Sequence, residues 1–118
     1  MLTLLSGFFK SKYEVITKNS ASEALFCLQE GSIPDLIITD INMPEIDGND
    51  FVKQLKSTSF TSEIPVMVLS HNQSSMDRLK SFQLGADDYI GKPFNPEELI
   101  VRAEKLVNSM VRYSVNVA

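Results

Sequence analysis

The pattern of apolar residues along the chain predicts an α/β fold, a doubly wound parallel sheet with helices on both faces. Segments of helical and of strand periodicity alternate strictly, and the connections between them are short. Two strand segments, Leu36 to Ile38 and Ile64 to Leu69, are unbroken apolar runs, the mark of parallel strands covered on both sides. Alternation of this kind also implies right-handed crossovers.

The elements follow in order. Leu2, Leu5, Phe8 and Phe9 recur at helical spacing, with Leu4 widening the stripe, so an amphipathic helix is expected almost from the first residue. Tyr13 to Lys18 (YEVITK) alternates in the β-branched manner of a half-buried strand. Ser20 or Ser22 can cap a second helix that buries Ala21, Ala24, Leu25 and Leu28, with Gly31 where a left-handed helix end costs least. Asp35 to Asp40 (DLIITD) reads as a strand with Asp40 at its carboxyl end. After the loop INMPEIDG a third helix spans about Asn49 to Lys56, with Phe51, Val52 and Leu55 inward. The strand Ile64 to Leu69 ends beside Ser70, and a fourth helix from about Ser74 to Leu84 stops at Gly85. A short strand, Ala86 to Gly91, leads to Lys92-Pro93 and a last helix from Pro96 to about Val111. Pro96, Glu97 and Glu98 suit its start, because proline loses no needed donor there and acids favour the positive end of the dipole.

With 118 residues the chain fits one domain, placed at residues 1–112, followed by a frayed tail, 113–118. Hydrophobic residues at 43% and charged residues at 22% are ordinary for a globular protein. A formal charge of −4 provides no basic stripe, so direct nucleic-acid binding is not expected. No apolar run approaches the roughly 20 residues needed to cross a bilayer. Met1 to Phe9 lacks the basic leader and cleavage pattern of a signal peptide. The lone Cys27 reads as a small core residue and fits a reducing compartment; the cytoplasm is expected.

Ligands of open parallel sheets collect outside the carboxyl ends of the strands. Asp40, Ser70 and Lys92 land there together: a carboxylate nucleophile, a hydroxyl donor and a counter-charge, a set suited to phosphoryl transfer. Each has a plainer role when taken singly. Asp40 could cap a helix, Ser70 could cap a loop, Lys92 could be a solvated lysine and Tyr89 an edge-strand aromatic.

The stretch DLIITDINMPEIDG, the strand IPVMVLS and the segment GADDYIGKPFNPEEL resemble, in order and spacing, the receiver domains of two-component response regulators. The likeness runs from Leu2 to about Met110 and implies a flavodoxin-like sheet of order 2-1-3-4-5. It implies that Asp40 takes a phosphoryl group from a histidine kinase or phosphotransfer protein, and that Asp40 and the Asn42 carbonyl bind Mg²⁺. It further implies that Ser70 and Lys92 bind the phosphoryl oxygens, that Tyr89 moves with Ser70 as a switch, and that Lys92-Pro93 is cis. Pro44 and Gly48 match the loop after the acceptor. The output would be a partner protein or an effector domain reading the face formed by the helix 74–84, the strand 86–91 and the last helix.

Two departures from that pattern stand out. Receivers begin with a short apolar strand ending in two acids that share the Mg²⁺, and this sequence starts after that point. A truncated or mis-started chain, a four-stranded sheet and weak Mg²⁺ binding are therefore expected, with exposed strand edges that invite association such as dimerisation. His71 follows Ser70 where receivers usually have a small residue; it would either shield the acyl phosphate or simply face solvent. A Ser-His-Asp triad is not expected, since adjacent residues at a strand end point in opposite directions. The alternative function is a pseudo-receiver that binds partners without taking phosphate. An aspartate-nucleophile phosphatase lacks its second acid, and no glycine-rich turn supports nucleotide binding.

Overall fold

The computed structural model describes residues 9, 13–31, 33–41, 47–71 and 74–117, with side chains to 108. Helix α1 is Ala21–Gln29, followed by strand β1, Ile37–Asp40, and helix α2, Gly48–Ser57. Strand β2 is Val66–Ser70 and helix α3 Ser75–Leu84; strand β3, Asp88–Gly91, precedes helix α4, Pro96–Val117. The strands form one parallel sheet in the order β1-β2-β3, with Ile37 beside Val66, Asp40 beside Leu69 and Ser70 beside Gly91.

Local chemistry sets the helix limits. Ser20 Oγ accepts from Glu23 N–H at 3.2 Å, and the Glu23 carboxylate accepts from Asn19 N–H at 2.9 Å, a reciprocal cap. Asp47 caps α2 through Asn49 N–H at 2.7 Å, and Ser74 caps α3 through Asp77 N–H at 3.2 Å. Gly85 ends α3 with φ +116°, a left-handed conformation that costs glycine little.

Every residue of β2 is buried, and its side chains serve two cores in alternation. Val66 and Val68 pack with Ala21, Leu28, Phe51, Val52 and Leu55 from α1 and α2. Met67 and Leu69 pack on the other face with Phe9, and with Leu99 and Ala103 of α4. Helices therefore cover both faces, as the sequence predicts.

Two differences from expectation have physical reasons. Among the described residues the sheet has three strands, not four, because Tyr13 to Lys18 is not in it. A strand exists only through lateral bonding, and no ladder bond joins this segment to β1. Only Val15 turns inward, against the core that holds Phe9 and Leu36. The observed order is the 3-4-5 portion of the expected sheet. Helix α4 continues to Val117, past the predicted end near Val111 and through most of the predicted tail, because no glycine or proline follows Pro96 to stop it. The helix expected at the start of the chain lies outside the described residues apart from Phe9, which is buried.

Candidate functional site

Parallel pairing aligns the carboxyl ends of β1, β2 and β3, and the predicted residues occupy those ends. Asp40 closes β1, Ser70 closes β2, and Lys92 follows Gly91 at the end of β3. Two further backbone bonds extend the ladder past the strands: Ile41 N–H to the Leu69 carbonyl at 2.9 Å and Lys92 N–H to the Ser70 carbonyl at 2.8 Å. These bonds fix the backbones that carry the three side chains.

The Lys92 ammonium donates to Asp40 Oδ2, forming an ion pair across the strand ends. Lys92 is 7% exposed, and a buried ammonium is tolerable only with such a partner. Asp40 is 25% exposed, so the carboxylate keeps a path to solvent while its counter-charge does not. Ser70 is fully buried on the neighbouring strand. A carboxylate accessible from one side and backed by an ammonium can attack an incoming electrophile, and the ammonium can neutralise the charge that accumulates on it.

Ile41 and Gly48 lie close together. Gly48 N–H donates to the Ile41 carbonyl at 2.9 Å, and a Cβ at Gly48 would lie 2.4 Å from Ile41 Cα and 2.9 Å from the Asp40 carbonyl oxygen. Only glycine fits here, and the structure places it as the first residue of α2 where the sequence suggested the end of the loop. Tyr89 is 4% exposed, its ring centroid 6.5 Å from that of Phe82 on α3. The Lys92-Pro93 peptide is cis, as the resemblance implies. His71 is exposed. Asn42 and Pro44 lie outside the described residues.

The structure also reveals supports that the sequence did not announce. Lys56 Nζ donates to the Ser62 and Ile64 carbonyls at 3.2 and 2.8 Å and to Asp87 Oδ2 at 3.1 Å. The same Asp87 oxygen accepts from Val66 N–H at 2.8 Å, so one ion pair anchors the entry to β2. The only sequence signal for it is two opposite charges at loop-proximal positions, which is no signal above background.

No helix among the described residues is long and apolar enough to cross a membrane. A family model for the response regulator receiver domain matches residues 1–104. Response regulator SaeR of Staphylococcus aureus is 38% identical over 101 residues, covering 86% of this chain and 42% of the relative. The chain thus spans less than half the length of that curated relative. Among solved structures, Vibrio cholerae chemotaxis protein CheY4 aligns at TM-score 0.81 and 31% identity over 89% of this chain and 88% of its own. The receiver domain of Francisella response regulator 1452 aligns at TM-score 0.84 and 28% identity over 92% of this chain and 88% of its own. With the fold, the strand-end residues and these likenesses in agreement, the chain belongs to the response regulator receiver domain family.

Proposed function

We propose that this domain is a phosphoacceptor switch in which Asp40 takes a phosphoryl group from a phosphohistidine of a histidine kinase or phosphotransfer protein. The observation that carries the reading is the ion pair between Lys92 and Asp40, with buried Ser70 at the end of the neighbouring strand. An Asp40 carboxylate oxygen attacks phosphorus, the N–P bond of the donor breaks, and its electron pair returns to the imidazole. The product is an acyl phosphate on Asp40, which water later cleaves to aspartate and inorganic phosphate. Lys92 then shares its charge with the phosphoryl oxygens, and Ser70 donates a hydrogen bond to one of them. Beyond this self-catalysed transfer and slow hydrolysis, the domain acts as a signalling element and not as an enzyme.

Receiver domains generally bind Mg²⁺ at the phosphorylation site. Asp40 would serve as one ligand, and the resemblance implies the carbonyl of Asn42, which lies outside the described residues, as a second. Among the described residues no group of three or more His, Cys, Asp or Glu side chains gathers to hold a metal. With Asp40 as the one carboxylate ligand taken from the described residues, Mg²⁺ would draw its remaining oxygen ligands from waters and the donor phosphate and would be bound weakly. The metal supplies charge neutralisation at the phosphoryl oxygens.

The output is a shift between two packings, relayed through Ser70 and Tyr89 to the face made by α3, β3 and α4. Met76, Leu79 and Phe82 on α3 and Val101 on α4 are exposed apolar side chains that give this face something for a partner or effector domain to bind. A competing reading is a pseudo-receiver that binds partners without phosphate. In that reading the Lys92–Asp40 ion pair is purely structural. Incubation with acetyl phosphate and Mg²⁺ followed by intact mass measurement separates the two. A gain of one phosphoryl group that Asp40→Asn abolishes supports the switch; an unchanged mass leaves the interaction module.

A further inference from the structure

The two edges of the sheet are finished differently. At the β3 edge Asp88 is held in an ion pair by Arg102 of α4 at 2.9 Å, a charge of the kind that discourages a further strand from adding. Strand β1 forms the other edge and carries no such device. Ile37 and Ile41 direct their N–H groups to the β2 side, bonding the Pro65 and Leu69 carbonyls at 3.0 and 2.9 Å. Successive residues of a strand address opposite edges, so the backbone groups of Leu36 and Ile38 point away from β2. Among the described residues those groups make no hydrogen bond, and no strand lies beyond β1. Leu36, Ile37 and Ile38 are only half-buried, whereas every residue of β2 is buried. The edge is regular, apolar and open: neither lysine nor proline interrupts Leu36 to Thr39, and the register with β2 runs without a bulge.

We propose that this edge of β1 is the contact surface for a second copy of the chain, joining the two sheets by antiparallel pairing about a two-fold axis at Ile37. A strand added here must be apolar on both faces. Ile37 packs against the core under α1 and α2, while Leu36 and Ile38 pack against the core under α4. Strand β1 meets that requirement itself. With Ile37 opposite Ile37, Leu36 of each copy exchanges both backbone bonds with Ile38 of the other, and the paired side chains lie on one face. Asp35 then falls opposite Thr39 and Asp40 opposite Pro34, so no two carboxylates meet. Pro34 has no N–H and ends the ladder. A two-fold contact uses the same patch on both copies and closes at the dimer instead of growing into a filament. The pairing does not depend on phosphoryl transfer at Asp40.

Sedimentation equilibrium of the whole chain over a range of concentrations, joined to residue-resolved amide hydrogen exchange, tests the pairing. The expected result is a monomer–dimer equilibrium in which the Leu36 and Ile38 amides gain protection as the dimer forms. The Ile37 and Ile41 amides, bonded to β2 in either state, stay protected throughout and serve as internal references. Ile38→Pro removes an outward N–H from an edge strand, where proline is tolerated, and leaves the bonds of Ile37 and Ile41 in place. That variant should lose the dimer while keeping the circular dichroism of the fold; if it does not fold, exchange in the unaltered chain decides alone. A monomer at every concentration overturns the proposal. So does a dimer in which Leu36 and Ile38 exchange as fast as in the monomer, or a folded Ile38→Pro variant that still dimerises. Protection of both amides that is independent of concentration also overturns it, because the chain would then cover its own edge.

Discussion

Lys92 is the residue whose placement constrains the chemistry most, because its ammonium is withdrawn from water and its described partner is Asp40. Replacing it with alanine removes the counter-charge from the developing acyl phosphate. We expect acetyl phosphate to label Lys92→Ala about 10²-fold more slowly than the unaltered chain, the scale seen when one preorganised donor is lost. A change under about twofold would show that Lys92 is a structural ion pair only. His71 allows a cleaner choice between its two predicted roles. The imidazole is exposed, so His71→Ala should leave the acyl phosphate half-life unchanged, and a clearly shorter half-life would restore the shielding role. Gly48→Ala forces a methyl against backbone atoms that cannot yield, and should cost about 1–3 kcal/mol in a urea titration. The strand-end positions of Asp40, Ser70 and Lys92 were legible in the sequence because apolar strands end visibly and their polar neighbours are few. The Asn49–Ser81 hydrogen bond and the Lys56–Asp87 ion pair were not, since side chains distant in sequence reveal their pairing only once the helices have packed.

At the scale of elements, capping and periodicity carried most of the information. Ser20, Ser74 and Gly85 mark helix limits by mechanisms that act within a few residues, so sequence suffices to find them. Tyr13 to Lys18 shows the limit of the same approach. Its alternation suits a strand, but pairing depends on a neighbour with free backbone groups at the right distance, which no local pattern encodes. The end of α4 was misplaced for a related reason: fraying was predicted where no residue type forbids another helical turn. The entry to β2 depends on Lys56, which gathers two loop carbonyls and the Asp87 carboxylate that also receives Val66 N–H. Lys56→Met keeps the aliphatic stem but leaves these acceptors without their donor. A loss of about 1–3 kcal/mol is expected, read as a lower urea midpoint at unchanged slope. An unaltered midpoint would mean that water replaces the ammonium without cost.

For the molecule as a whole, β2 divides the interior into two cores, and both must be intact for the strand ends to stay in register. Leu99 is fully buried in the core beneath α4, and Leu99→Ala should cost about 2–5 kcal/mol. Such a loss would also slow labelling at Asp40, because the backbone of Lys92 hangs from β2 through the Ser70 carbonyl. The layered α/β arrangement was legible from alternation alone, whereas strand number was not, because it depends on pairing between segments and not on their composition. The central claim is that one carboxylate, at position 40, carries the phosphoryl group. Treating the acetyl phosphate-labelled protein with borohydride reduces an acyl phosphate to the alcohol, and peptide mass mapping then locates the modified residue. The account requires homoserine in place of Asp40 and at no other acidic position. Reduction at a different aspartate or glutamate, with residue 40 unmodified, would contradict it.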